Sequence, residues 1–271
     1  MTQSSWVILG AGYTGSVLAR RLVADGPHVL VTRRQPDAAA AIALGLGNAA
    51  MGMAMDLTQP ASLMFPPDAI VVCLAQPGPD PAAEVGALTL AARGCQRLVY
   101  VSSTGVYPPA DGAWVDESWP VAPLTAAGRA RAIAEAALPA DAIALRVAGI
   151  YGPGRGLVDR IRAGTYRIIG DGTAHVSRVH VDDLVEAIIH AGATTFAGPV
   201  NVADDDPAPI GEVADTVAAH FGLPPPPRVD PASVDGEVAG MLTANRRIAT
   251  ARMKETLGVQ LRYPSWQTQL T

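Results

Sequence analysis

Three glycines near the start of the chain, Gly10, Gly12 and Gly15, follow an apolar segment at residues 6–9 with Gly-x-Gly-x-x-Gly spacing. Between a strand and a helix, such glycines permit a sharp turn, close backbone approach to a pyrophosphate, and tight helix packing. The helix expected at residues 13–25 directs its free N–H groups and positive dipole end towards that phosphate. A glycine-rich turn in an ordinary α/β protein is the alternative. The residues predicted to surround the phosphates of a dinucleotide are Gly10, Gly12, Tyr13, Thr14 and Gly15.

The second predicted strand, at residues 28–32, ends in Arg33 and Arg34. A site for NAD usually has an acidic residue there, which binds the ribose 2′-hydroxyl. Guanidinium groups instead suit a 2′-phosphate, because arginine binds phosphate through two parallel charged hydrogen bonds. The pair therefore predicts NADP in preference to NAD, with two solvated arginines at a strand end as the alternative.

The composition is typical of a compact protein with a slight excess of acidic residues. The 271 residues are 49% hydrophobic and 17% charged, and the formal net charge is −5. This balance argues against a nucleic-acid partner. The sequence shows no signal-peptide pattern and no apolar run of membrane-spanning length, so we expect a cytoplasmic protein without a membrane partner. Cys73 and Cys95 are expected to be reduced core thiols, and metal-site spacing is absent.

Strands alternate with helices through the first two-thirds of the chain, which predicts a doubly wound, parallel α/β sheet. Beyond Tyr151 the elements become shorter and Gly- and Pro-rich loops separate them. We therefore expect a Rossmann domain at residues 1–150 and a small α/β substrate lobe at residues 151–271, with segments that return to the sheet. The main predicted helices are at 81–92, 125–138, 184–191 and 210–221, with a last one from near Asn245 to before Gly258; predicted strands include 50–56, 69–75, 97–102 and 142–147.

Four ordered motifs span nearly the whole chain, and together they resemble the extended short-chain dehydrogenase/reductase superfamily. This is the group of NAD(P)-dependent sugar epimerases and dehydratases. The motifs are Val101-Ser-Ser-Thr-Gly-Val-Tyr107-Pro, Asp116-Glu117, Leu145-Arg-Val-Ala-Gly-Ile-Tyr151-Gly-Pro-Gly154 and Arg178-Val-His180-Val-Asp182-Asp183-Leu184.

The resemblance implies a Tyr that transfers a proton, a Lys that lowers the pKa of that Tyr and holds the nicotinamide ribose, and a Ser that orients the substrate. The stretch that carries Tyr and Lys in relatives reads Pro123-Leu-Thr-Ala-Ala127-Gly128-Arg-Ala-Arg131 here. Ala127 stands at the Tyr position and Arg131 at the Lys position. Alanine carries no proton, and an arginine with a pKa above about 12 is no acid or base near neutrality. Arg131 is left to hold the cofactor ribose or a phosphate.

Two hydroxyl groups are the candidates for catalysis. Ser103 matches the family's Ser position and serves as a hydrogen-bonding group, because no base stands beside it to make it a nucleophile. Tyr107 follows it by four residues, and its phenol is a candidate proton donor; structural packing of the ring is the alternative. Tyr151 is interpreted as a loop anchor near the nicotinamide or the substrate.

The histidines allow two readings. His175, on a predicted lobe strand, is a candidate acid or base, although lone exposed histidines are common. His180, Asp182 and Asp183 are interpreted as structural, with an aspartate capping a helix that begins at Leu184.

Further cofactor positions follow from the resemblance alone. Asp56, after the third strand, matches the place where relatives bring a carboxylate to the adenine amino group; an ordinary strand-end aspartate is the alternative. Leu74, Ala75 and Gln76 match the backbone that relatives pass along the nicotinamide ribose.

The sequence thus predicts an NADP-dependent oxidoreductase or epimerase/dehydratase-like protein with a non-standard active site. Its substrate is expected to be small, with a sugar nucleotide or a carbonyl compound as examples. A non-catalytic NADP-binding regulator that senses redox state is the alternative. The alanine-rich helices at residues 81–92 and 125–138 are compatible with a homodimer.

Overall fold

The computed structural model describes residues 5–270. Its helices are α1 Tyr13–Asp25, α2 Pro36–Leu44, α3 Pro81–Ala91, α4 Ala126–Ala136, α5 Leu157–Arg162, α6 Val181–Ala193, α7 Ile210–His220, α8 Gly236–Leu242 and α9 Ala251–Leu257. Its strands are β1 Trp6–Leu9, β2 Val29–Arg33, β3 Ala50–Ala54, β4 Ile70–Cys73, β5 Arg97–Ser103, β6 Trp114–Val115, β7 Ile143–Val147, β8 Gly149–Tyr151, β9 Ile168–Ile169, β10 His175–Val176, β11 Arg178–His180, β12 Gly198–Val202, β13 Ala208–Pro209, β14 Arg228–Val229 and β15 Arg247–Ile248. Within this described part, no helix is both long and apolar enough to cross a membrane.

Seven strands form one parallel sheet in the order β3-β2-β1-β4-β5-β7-β12. On β1, Val7 lies opposite Leu30 of β2 and Val71 of β4. The chain runs outwards from β1 to β3 on one side and from β4 to β12 on the other, so the strand order reverses between β1 and β4. Open α/β sheets bind ligands at such a reversal, beyond the carboxyl ends of the strands. The predicted doubly wound parallel α/β fold is confirmed.

The chain divides into two compact units, each assembled from separate segments. The predicted assignment of residues 1–150 to cofactor binding and residues 151–271 to a substrate lobe stays a prediction. Unit 1 holds residues up to 102, 130–145 and 185–200, and unit 2 holds residues 103–129, 146–184 and the chain from 201 onwards.

The core of unit 1 forms because β1 and β4 present apolar side chains that helices cover. Val7 and Val71 are fully buried with Leu88 of α3 in one apolar cluster. On α1, Leu18 is fully buried, and the helix ends at Gly26, whose φ of +107° suits the left-handed terminal residue.

Unit 2 has its own core around α7. Val213 and Val217 of that helix pack with Tyr166, Ile168 and Trp266 in a second apolar cluster. The two-residue strands around it, such as β9 with β14, pair outside the main sheet. An apolar face on α7 therefore organises a unit whose strands are too short to do so.

The structure departs from the predicted elements mainly in unit 2. The last helix begins at Ala251 and not near Asn245, because Asn245 has a left-handed φ of +46° and the next residues form β15. The helix predicted to begin at Leu184 begins at Val181. The strand β12 and the helix α2 had no counterpart in the prediction.

Arg97 opens β5 with its guanidinium buried in unit 1. The group donates to the carbonyl oxygens of Asp141 at 2.6 Å, Ala191 at 3.3 Å and Phe196. Burial lowers the pKa of Arg97, and three carbonyl partners compensate for the loss of water around it. One side chain thus joins the start of β5 to two other segments of the unit.

We expect Arg97→Met to lower the free energy of unfolding by about 3 kcal/mol, because three buried carbonyls lose their donor. Chemical denaturation measures the change. The matched control is Arg93→Met, since Arg93 is exposed, and surface changes stay within about 0.5 kcal/mol. Equal stabilities for the two variants would contradict this account of Arg97.

Asp204 follows β12 in unit 2, and its carboxyl group is 1% exposed. No side-chain donor among residues 5–270 reaches its carboxyl oxygens, and backbone hydrogen bonds near Asp206 and Arg178 lower its pKa less than burial raises it. Burial raises the pKa of Asp204 to about 8, and the nearby Arg178 guanidinium only partly offsets this. Asp206 adds a second negative charge close by. The folded protein therefore favours the neutral acid.

Because the folded pKa of Asp204 lies above the unfolded value of about 3.9, the stability that this residue contributes is complete below pH 4 or so. That contribution is lost as the pH rises towards 8. We expect Asp204→Asn, which is neutral throughout, to flatten the fall of the unfolding free energy over this range. Urea unfolding at several pH values measures it, with exposed Asp37→Asn as the control. Parallel curves for Asp204→Asn and the native chain would refute the assignment.

Candidate functional site

The turn between β1 and α1 in unit 1 has no space for a side chain at its first glycine, Gly10. Gly10 has a φ of +82°, and a Cβ there would lie 2.9 Å from both Cα and N of Ala75. Both observations require glycine. The Leu74 N–H donates to the Leu9 carbonyl at 2.8 Å and fixes the chain after β4 beside this turn.

The next two glycines shape the start of α1. Gly12 is the residue before the helix and has no side chain with which to cap its first turn. A Cβ on Gly15 would lie 3.1 Å from Ile8 Cγ2 and from Leu74 Cδ1, so a larger residue there would press on both side chains. The positive dipole end of α1 therefore lies at this turn, where it favours an anion.

Arg33, at the end of β2, lies against the same turn. Its Nη1 donates to the Ala11 carbonyl at 3.1 Å, and a Cβ on Gly12 would be 3.5 Å from that nitrogen. Arg34 is exposed and lies close enough to Asp56 to affect its carboxylate. The structure thus brings the glycine turn and the arginine pair together in unit 1.

Asp56 follows β3, and its carboxylate is turned towards its own loop. Its Oδ1 accepts hydrogen bonds from the Thr58 N–H at 3.0 Å and from the Thr58 hydroxyl at 2.9 Å. The Thr58 N–H and, to a smaller extent, Arg34 lower the pKa of Asp56. The carboxylate is therefore ionised near neutrality, and its contact with adenine stays a prediction.

Leu74, Ala75 and Gln76 follow β4, and Gln76 is exposed. Together with the glycine turn at Gly10 and the amino end of α1, they make a cradle that suits the phosphates and backbone of a dinucleotide. We conclude that the residues present are compatible with such a cofactor. The roles of individual side chains stay predictions.

Arg131 is buried in unit 1 on α4, and its guanidinium has structural partners. Its Nη1 donates to the Val101 carbonyl at 2.6 Å and to the Tyr100 hydroxyl at 3.3 Å. Ser102, the residue after Val101 in β5, and Glu135, four residues after Arg131 in α4, form a short hydrogen bond. The arginine at the family's Lys position thus attaches α4 to β5, and its contact with a cofactor stays a prediction.

In unit 2, the first turn of α4 lies against the turn that follows Ser103. A Cβ on Gly128 would lie 2.4 Å from the Gly105 carbonyl, which explains a glycine there. Ser103 Oγ accepts a hydrogen bond from the Gly105 N–H at 3.0 Å. The serine proton is therefore not used in that hydrogen bond.

Ala127 is exposed at the start of α4, and its methyl side chain cannot donate or accept a proton. Its N–H donates to Glu237 Oε2 at 3.2 Å, and the Ala126 N–H donates to the other oxygen. Glu237 of α8 thus caps the helix at the position where relatives carry the tyrosine. No local sequence pattern links residues so far apart.

Tyr107 is 1% exposed, and its hydroxyl is held on both sides within unit 2. It donates to Asn201 Oδ1 at 2.7 Å and accepts from Arg146 Nη1 at 2.9 Å. Burial raises the pKa of Tyr107, so the phenol keeps its proton near neutrality. This geometry favours the packing alternative, while the catalytic role stays a prediction.

The hydrogen-bond network around Tyr107 was not predicted from the sequence. Asn201 is fully buried, and its N–H donates to Glu117 Oε1 at 2.7 Å. Arg246 donates to the carbonyl oxygens of Tyr107 and Pro108. The Asp116-Glu117 motif was visible in the sequence, but Asn201, the partner of Glu117, lies far away along the chain.

His175 of β10 has both ring nitrogens engaged within unit 2. Nδ1 lies 3.2 Å from Asn245 Oδ1, and Nε2 lies 3.2 Å from Arg247 Nη2. Since an amide oxygen accepts and a guanidinium donates, these contacts favour the neutral imidazole with its proton on Nδ1. A role as acid or base would first require one contact to break.

His180 and Asp183 are structural, but the predicted cap is wrong in detail. His180 Nδ1 accepts from the Asp182 N–H at 3.2 Å, and its ring stacks on Tyr263 at 3.6 Å. Asp183 accepts from the N–H groups of Arg262 and Tyr263 at 2.8 and 3.0 Å. The histidine thus caps α6, and Asp183 anchors the C-terminal segment because two N–H groups there need an acceptor.

No group of three or more His, Cys, Asp or Glu side chains suited to a metal ion occurs within residues 5–270. Cys73 and Cys95 are free thiols, and burial raises the pKa of Cys73 to about 11. Cys73 is therefore neutral and unreactive near pH 7.

Comparison with known proteins identifies relatives of this chain. The chain is 32% identical over 196 residues to a 3-diazoavenalumate denitrifying reductase from a Streptomyces species, which covers 65% of this chain. The matched part is 64% of that relative's length, so just under two thirds of the relative is represented.

Solved structures share the fold over nearly the whole chain. A conserved protein of unknown function from Silicibacter pomeroyi is 31% identical, with a TM-score of 0.82 over 99% of this chain and 97% of that chain. A human epimerase family protein solved with NADPH is 21% identical, with a TM-score of 0.76 over 98% and 97% of the two chains. The second likeness concerns the fold alone.

A family model described as the NAD dependent epimerase/dehydratase family matches residues 6–203. That span includes the glycine turn, the arginine pair and the Ser103 motif. The chain belongs to the NAD dependent epimerase/dehydratase family, of the extended short-chain dehydrogenase/reductase type.

Proposed function

We propose that the protein is an NADP-dependent oxidoreductase that acts on a small carbonyl-type substrate, with a sugar nucleotide as the variant that its epimerase relatives suggest. One observation carries the proposal: the bare glycine turn at Gly10 and Gly12 lies beside the guanidinium of Arg33. The residues involved come from two separate segments of unit 1, the turn after β1 and the end of β2, and their combination suits a phosphorylated dinucleotide.

The choice of NADP rests on charge. Arg33 and Arg34 follow Thr32 at the end of β2, where an acidic residue favours the 2′-hydroxyl of NAD. A 2′-phosphate beside two guanidinium groups gains charged hydrogen bonds that NAD lacks. Fold neighbours have been solved with NADPH and with NAD, so the choice between the two cofactors rests on the arginine pair.

A reductase among the relatives supports reduction as the direction of the reaction. When bound, the cofactor supplies a hydride equivalent from its nicotinamide ring. The chain's part is then to orient the acceptor and to supply or position a proton. Ser103 is the group proposed for this part, because its hydroxyl proton is not used in the bond from the Gly105 N–H and can be donated to a substrate oxygen or a water molecule.

The tyrosine that relatives use has no replacement at position 127, and Tyr107 has its hydroxyl engaged. We therefore place the proton on a water held by Ser103 or on the substrate itself. A homodimer through α3 and α4 is a further proposal. Leu90 and Ile133 support it with exposures of 58% and 48%, which would fall at an interface.

We expect NADP to bind more tightly than NAD by about 10-fold or more, because the 2′-phosphate gains guanidinium hydrogen bonds. Isothermal titration calorimetry with both dinucleotides measures this. In the double variant Arg33→Ala with Arg34→Ala, the preference is expected to vanish. Exposed Arg20→Ala keeps it as the control. Tighter binding of NAD to the native chain would refute the cofactor choice.

We expect Ser103→Ala to lower kcat/KM for NADPH-dependent reduction by about 100-fold, since one hydrogen-bond donor to the reacting oxygen is lost. The Kd for NADP stays unchanged. Tyr107→Phe is expected to lower the melting temperature and to retain turnover, because its hydroxyl bonds Asn201 and Arg146. Assays of NADPH oxidation with a panel of carbonyl compounds and sugar nucleotides measure turnover. NADP binding without turnover on any panel member would favour the regulator.

A further inference from the structure

The loop of residues 74–80 connects β4 to α3 and lies against the dinucleotide cradle. Its first part contacts the glycine turn, because a Cβ on Gly10 would lie 2.9 Å from Ala75. Its later part contacts the Asp56 turn, because a Cβ on Gly78 would lie 3.2 Å from Thr58 Cγ2. The loop therefore joins two regions that the proposed function assigns to one cofactor.

Glu84, in the first turn of α3, holds this loop in place through a hydrogen bond. The residue is 5% exposed, and its Oε2 accepts a hydrogen bond from the Gly78 N–H at 2.8 Å. A Cβ on Gly78 would lie 2.3 Å from Glu84 Oε1. The carboxylate thus fills the space beside Gly78 and determines the path of the loop.

The start of α3, which carries Glu84, is itself held in place by capping interactions. Asp80 Oδ1 accepts from the Ala83 N–H at 3.1 Å, and Pro81 opens the helix with a fixed φ. The backbone N–H of Glu84 donates to the Asp80 carbonyl at 3.0 Å. The Glu84 side chain therefore extends from a helix start that has hydrogen bonds of its own.

Stability alone does not explain a carboxylate at this position. Glu84 Oε1 is buried and has no hydrogen-bond partner within the described residues. A buried carboxylate with one oxygen unsatisfied costs free energy, and an apolar side chain would fill the same space without that cost. The carboxylate instead provides a hydrogen-bond acceptor for the N–H of Gly78 in the loop.

We propose that Glu84 is a positioning residue for the dinucleotide. It holds residues 74–80 in the path along which the nicotinamide half of the cofactor passes, and so this inference rests on the proposed function. The 2′-phosphate depends on Arg33 and Arg34, and neither arginine hydrogen-bonds Glu84 or Gly78 in the described part of the chain.

The test compares two ligands on the same variant by calorimetry. Glu84→Ala is expected to raise the Kd of NADP by about 10-fold, since a loop that must be ordered on binding costs affinity. The Kd of adenosine 2′,5′-bisphosphate, which lacks the nicotinamide half, is expected to stay within about 3-fold and shows that the variant is folded. Glu84→Gln retains an acceptor oxygen for Gly78 and is expected to restore NADP binding.

A second variant approaches the same contact from the loop. Gly78→Ala places a Cβ into the Glu84 carboxylate and is expected to weaken NADP as Glu84→Ala does. In the double variant the carboxylate is gone, so the two effects are expected to be strongly non-additive. Glu212→Ala, an exposed acid in the first turn of α7, is the matched control and leaves both Kd values unchanged.

The outcomes separate the two proposals. Equal losses for NADP and for the bisphosphate fragment, unchanged NADP binding in Glu84→Ala, or additive effects of the two substitutions would each overturn the positioning role. Failure of the native chain to bind NADP at all would overturn the proposed function, and with it this inference.

Discussion

The structure depends on a close backbone contact between the first glycine turn and the end of β4. No side chain fits at Gly10, because a Cβ there would lie 2.9 Å from Ala75 and the φ is +82°. This contact places the amino end of α1, which follows Gly12, at the reversal of strand order, where an anion is favoured by the helix dipole. Arg33, Asp56 and the 74–80 loop all take their positions around it.

The two units use buried polar groups in different ways. In unit 1, Arg131 attaches α4 to β5 at the position where the resemblance implies a lysine for the cofactor. In unit 2, the Tyr107 hydroxyl bonds Asn201 and Arg146 where a catalytic phenol was the expectation. Residues at or near the family's reactive positions thus have structural partners here. The chemistry proposed for this chain therefore relies on Ser103 and on groups of the substrate.

The fold was largely predictable because local signals and topology agree in unit 1. The helix predicted at residues 13–25 is α1, and the apolar runs became β4 and β5 within two residues at each end. Unit 2 was harder, because its two-residue strands pair with distant partners such as β15 with β6. Asn245 illustrates the limit: it suits a helix start by sequence, yet tertiary contacts with His175 hold it in a left-handed turn. The roles of Glu84 and Asn201 depend on burial and partners that spacing alone does not reveal.

The central claim, that an adenine dinucleotide rests on the amino end of α1, is most directly tested by backbone amide NMR. Titration with NADP is predicted to shift the resonances of Gly10, Gly12 and Gly15 most strongly, together with Arg33 at the end of β2. Unchanged glycine resonances at saturating NADP, or shifts confined to residues elsewhere in the chain, would contradict the account.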